Sequence, residues 1–220
     1  MSKKKLYGSL LLNLFTLISV IVITIILLKR GPRTFRMFTT QSNVVSGIIA
    51  LIVVIFEILI ILKKKNELPE WLKVTKMVGT TGVALTFLVV VFYLGFVAVG
   101  KGYNYFIVFR GTNVCFHFLT PVSAILSFIL FEGSDKIKRR YTFLNLVHMV
   151  GYTIFYAINV FTHLNPDGTA NRDYDWYYFV LGETWTFGFV VLAMLLITYG
   201  IGFGLWWLNR RIERTNLFKE

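Results

Sequence analysis

The sequence predicts an all-α integral membrane protein, a bundle of six transmembrane helices with both termini on the cytoplasmic side. Three observations predict it. Hydrophobic residues make up 56% of the 220 positions, far more than a soluble domain of this size can hide from water. They fall in blocks that are each long enough to cross a bilayer as a helix and about twice what a barrel strand needs. The short segments between the blocks carry nearly all of the charge, and they carry it unevenly.

The 23 residues between Lys5 and Lys29 contain no Asp, Glu, Lys or Arg, which at 1.5 Å per residue exceeds the ~30 Å hydrocarbon core. This is the first span, about residues 6–28. The basic start at Lys3, Lys4 and Lys5 resembles a secretory signal, but the run is too long and has no small-residue cleavage site, so it reads as uncleaved. The second span, about 38–62, lies between Arg36 and Lys63 with Glu57 as its one charge, and Glu57 reads as structural. Pro69 fits a turn before the third span, about 77–99, bounded by Lys76 and Lys101. The fourth, about 112–131, is bounded by Arg110 and Glu132. The fifth covers about 142–163 and the sixth about 183–208. No stretch is left for a separate soluble domain, so residues 1–220 form one membrane domain.

Lys and Arg number sixteen at the N-terminus, the second and fourth loops and the C-terminus, against seven in the other loops, which puts both termini in the cytoplasm of a cell-membrane protein. The net charge of +12 points to anionic lipid headgroups rather than nucleic acid, because the basic residues border the spans. Membrane lipids are the expected partner, and the oligomeric state is left open. The single cysteine, Cys115, excludes an internal disulfide and a thiolate metal site. Trp176, Tyr177 and Tyr178 before the last span, and Trp206 and Trp207 near its end, read as interfacial belts that anchor the helix. No nucleotide-binding glycine pattern or metal-ligand spacing occurs, and no metal or cofactor is expected.

Polar groups are costly in hydrocarbon, so those the spans retain carry the information. Span two enters from the outer side through Thr39, Thr40, Gln41, Ser42 and Asn43, followed by Ser46, Gly47 and Ala50, a small polar face suited to helix packing or to a reactive lip. Span four enters from the same side, with Asn113, His117, Thr120, Ala124 and Ser127 on one stripe. Pro121 has no N–H for the carbonyl four residues earlier, that of His117, and so prepares a polar spot that serves a ligand or a packed histidine equally. Span five carries Asn145, His148, Tyr152, Tyr156, Asn159 and His163 at steps of three and four, read as interhelical glue or as a solute path. Glu183 is the carboxylate expected to meet the outer cluster, with Arg110, Asp173 and Asp175 at its level.

At Phe38-Thr39-Thr40-Gln41-Ser42-Asn43, His117-Phe118-Leu119-Thr120-Pro121 and Val150-Gly151-Tyr152 the chain resembles the androgen-induced and androgen-dependent family of six-span intramembrane threonine hydrolases. The resemblance implies cleavage of fatty acyl esters by a threonine near the start of span two, with a histidine in span four as base. By position these are Thr39 and His117, with Thr40 one residue out of register as the alternative nucleophile. The charge count independently puts Thr39 and His117 at one level of the membrane. Gln41, Asn43 and Arg110 are candidates to stabilise an oxyanion, Glu183 to orient the imidazole, and Asn113, Tyr152 and His163 to line a substrate site. A small transporter or channel along span five, and a non-catalytic lipid-binding protein, are the competing expectations.

Overall fold

The computed structural model describes residues 3–132, 137–180 and 184–215. Helix is the regular structure throughout, with no strand among the described residues. The helices are α1, Lys3–Arg30; α2, Phe38–Ile61; α3, Glu70–Gly100; α4, Cys115–Leu130; α5, Arg139–Phe161; and α6, Thr184–Arg214. All but α4 are long and apolar enough to cross a bilayer. Helix α4 rises only about 24 Å, less than a hydrocarbon core, and a separate 3₁₀ turn at Tyr105–Phe109 precedes it.

Large apolar side chains such as Leu11, Phe92, Phe106 and Phe189 point outward, whereas Ser9, Asn13, Thr16, Ser42, Asn43 and Thr81 are buried. That distribution inverts a soluble protein and fits a helical bundle embedded in lipid. Lipid gives helices no hydrophobic reason to pair, so close packing does the work. A Cβ on Gly47 of α2 would lie 2.6 Å from Val20 Cγ1 of α1, and one on Gly202 of α6 would lie 2.1 Å from Asn145 Nδ2. Glycine is required at both crossings.

Short connections turn the chain back at each end of the bundle. Gly31, at φ 98°, ends α1 in a conformation closed to other residues at low cost, and Pro32 starts the 3₁₀ turn Pro32–Arg36 that leads into α2. Lys5 Nζ donates to Glu213 Oε1 at 2.7 Å, so the described starts of α1 and ends of α6 share one end of the bundle. The other end collects residues 31–37, 101–114 and 162–180.

Three expectations need correcting. Lys76, expected to border span three, lies inside α3 and is buried, because the helix starts six residues earlier at Glu70. Glu132, expected to border span four, is buried as well, held by Asn13, Ser127 and Lys76. Trp206, expected at an interface, is buried and donates from Nε1 to the Ile137 carbonyl at 2.9 Å, while Trp207 next to it is exposed.

Candidate functional site

The first turn of α2 opens onto a cavity of about 390 Å³, within the range of small-ligand sites. Thr39, Thr40, Asn113 and His117 all line it, together with Arg33, Arg36 and Tyr177. Residues almost eighty positions apart in sequence are thus brought to one wall-lined space, with Ile23 and Leu27 of α1 as its apolar side.

Local structure explains how. Residues Cys115–Leu119 form a π turn in which the Thr120 N–H bonds the Cys115 carbonyl five residues back. In that register the acceptor deprived by Pro121 is the carbonyl of Phe116, not that of His117 as α-helical counting predicts. Asn43 Nδ2 fills it at 3.2 Å and gives its other hydrogen to the Thr39 carbonyl at 2.8 Å. One amide therefore clamps the start of α2 to the turn that carries His117. With both hydrogens committed, Asn43 has none left for an oxyanion, which corrects that part of the expectation.

His117 is half-buried, and its Nδ1 lies 2.8 Å from the Val108 carbonyl. A carbonyl only accepts, so Nδ1 carries the hydrogen and the neutral ring keeps its lone pair on Nε2. That is the tautomer a general base needs. Thr39 is half-buried and Thr40 buried, and neither hydroxyl has a hydrogen-bond partner among the described residues.

Arg36 and Tyr177, which sequence reasoning read as a span border and a belt residue, both belong to the cavity. The Arg36 Nη1 donates to the Asp173 carbonyl at 2.6 Å and its guanidinium lies over the Trp176 ring at 4.8 Å, yet its buried Nε has no acceptor among the described residues. A fixed cation with a spare donor is thereby held beside the threonines. The Tyr177 hydroxyl accepts the Phe38 N–H at 3.0 Å, satisfying one of the orphan donors that begin α2. Burial pushes the Tyr177 phenol above its ordinary range and keeps it neutral in that role.

The other expected site residues are elsewhere. Tyr152 is buried and does not line the cavity; its hydroxyl donates to the Arg36 carbonyl at 2.9 Å and accepts from Trp176 Nε1 at 3.1 Å, so it fixes the arginine from behind. Gln41 donates to the Phe35 carbonyl at 3.1 Å outside the lining. Arg110 is exposed and outside it too. His163 is exposed, stacked on Tyr174 at 3.8 Å between centroids and bonded to the Asn159 carbonyl. Glu183 lies outside the described residues. On α5, Asn145 accepts from Thr81 at 3.1 Å and the Tyr156 hydroxyl donates to Asp175, contacts that tie helices and loop together.

Comparison of the chain with protein-family models, with curated proteins and with solved structures returns no match.

Proposed function

We propose that the chain is an intramembrane hydrolase of fatty acyl esters, a member of the androgen-induced and androgen-dependent family, with Thr39 as nucleophile and His117 as base. The observation that carries the reading is the shared cavity: both threonines and a histidine with its free lone pair on Nε2 line one space of about 390 Å³. The reading also rests on the motif resemblance around Thr39 and His117.

The chemistry is a two-step acyl transfer. His117 Nε2 takes the proton as Thr39 Oγ1 adds to the ester carbonyl, and the resulting oxyanion is met by Arg36 Nε and by the positive end of α2. Collapse expels the alcohol, which takes the proton from His117. Water then adds to the acyl-threonine with the same base, the threonine oxygen leaves and is reprotonated, and a fatty acid is released. Thr39 is preferred over Thr40 because it is half-buried and reachable, whereas Thr40 is 5% exposed.

The chain in this reading crosses the cell membrane six times with its termini cytoplasmic and the cavity in the outer leaflet, where acyl chains enter from lipid. The Lys5–Glu213 pair supports both termini being on one side, and the distribution of Lys and Arg supports that side being the cytoplasm. The test is labelling of the purified protein in nanodiscs by a fluorophosphonate. We expect labelling that His117→Ala and Thr39→Ala abolish and Thr40→Ala retains. Loss in Thr40→Ala alone would move the nucleophile by one residue. A folded wild type that binds acyl esters without being labelled or turning them over would replace the hydrolase with a lipid-binding protein.

A further inference from the structure

The second concentration of polar groups lies where α1, α2, α3 and α4 meet, at the end of the bundle shared by the described termini. Glu57 of α2 is 18 residues beyond Thr39, roughly 27 Å along the helix, so this cluster is separate from the cavity. Around Glu57 stand Ser9 and Asn13 from α1, Lys76 from α3 and Glu132 at the end of α4. Glu57 is 0% exposed, and Lys76 and Glu132 are each 1% exposed.

Three donors in this cluster converge on one carboxylate. Glu132 Oε1 receives Asn13 Nδ2 at 2.9 Å, the Ser127 hydroxyl, and the Lys76 ammonium at 3.5 Å. Lys76 also donates to the Asn13 side-chain oxygen. Lys76 and Glu132 thus form an ion pair of zero net charge, bridged by Asn13. Neither Glu57 oxygen has a hydrogen bond of good geometry among the described residues, the Ser9 hydroxyl and the Asn13 amide being the donors beside it, and Glu132 Oε2 is likewise unpartnered among them. The nearby cations Lys73 and Lys5 are engaged with Glu67 and Glu213.

Among the described residues two carboxylates face one ammonium, which leaves a surplus negative charge away from water. A naked carboxylate is not sustainable there, so a cation must accompany it. A divalent metal does not suit the place, since no cluster of three His, Cys, Asp or Glu occurs among the described residues and the Lys76 ammonium repels it. The smallest cation needs no coordination shell. We propose that Glu57 is a proton-binding site, and that the cluster of Glu57, Glu132 and Lys76 holds one exchangeable proton at the end of the bundle opposite the cavity.

Infrared spectroscopy of the protein in lipid at neutral pH reads this directly, using glutamate that carries a heavy carbon isotope in its carboxyl group. We expect a protonated-carboxyl stretch that shifts with the isotope, disappears in Glu57→Gln, and gains about one further group's intensity in Lys76→Met, where Glu132 has lost its counter-charge. The isotope shift is read in the wild type, so the result does not depend on either variant folding. Absence of a protonated glutamate in the wild type overturns the proposal, as does a band that survives in Glu57→Gln. Carboxylate bands that move when sodium replaces choline would give the site a metal ion instead and also overturn it.

Discussion

Around the cavity, the supporting side chains Asn43, Gln41, Tyr152 and His117 are tied to backbone carbonyls, whereas in the buried cluster around Glu132 the polar side chains are tied to one another. Asn43, Gln41, Tyr152 and His117 donate to Phe116, Phe35, Arg36 and Val108 carbonyls. Those bonds consume the supporting groups and, among the described residues, leave the Thr39 hydroxyl, His117 Nε2 and Arg36 Nε uncommitted. Asn13, Ser127, Lys76 and Glu132 instead satisfy each other in a buried network. The difference teaches that one end is arranged to keep reactive groups available and the other to neutralise charge inside lipid.

The largest effect expected from breaking this contrast is on turnover. His117→Ala should lower ester hydrolysis by about 10²–10⁴-fold, the usual contribution of a positioned base, with the bundle intact by size-exclusion chromatography. In the wild type hydrolysis should fall as the pH is lowered and His117 takes a proton, and a flat acid limb would remove its role as base.

Next comes the charged network. Lys76→Met should destabilise the protein by about 3–5 kcal/mol, because Glu132 is left buried without its partner, and Lys76→Met/Glu132→Gln should recover most of that. Unfolding in mixed micelles checks this. A loss of only about 0–1 kcal/mol would mean the pair is solvated and that the two ends do not differ as described.

Asn43→Ala tests the link between the two catalytic segments. It orphans the Phe116 carbonyl and should cost about 1–3 kcal/mol, with hydrolysis lowered through kcat rather than KM. Unchanged kcat would show that the clamp does not position the threonine.

The smallest effect lies at the cavity end but outside the cavity lining. The Thr169 hydroxyl and N–H hold the exposed Asp167 carboxylate below its usual range. Its folded pKa is thus below the unfolded one, so its contribution is present above the unfolded value and lost as pH falls through the folded one. Asp167→Asn should slightly flatten the acid side of the thermal-stability profile and leave hydrolysis unchanged. A change in hydrolysis would extend the site to the turn at Asp167–Thr169.

Much of the helical framework is legible in the sequence because an uncharged run of more than twenty residues has few alternatives in lipid. Its borders were misread where charge was equated with water. Lys76 and Glu132 border apolar runs, and only their tertiary contacts, with Asn13 of α1 and with each other, make them interior. The cavity was half legible. Thr39 and His117 carry a motif, and the shared level of spans two and four is a charge count. Arg36 looked like a border residue, and Tyr177 reaches α2 from 139 positions away, which no local pattern encodes. The π turn is equally silent, since proline removes a donor in either register and only the fold decides which carbonyl is freed.

The most direct test of the account is peptide mass spectrometry of the nanodisc-embedded protein, quenched during turnover of a long-chain acyl ester. The account predicts an acyl group on the peptide containing Thr39, absent from Thr39→Ala and from His117→Ala. Turnover with no acyl-protein, or with the acyl group on a residue outside the cavity, would contradict it.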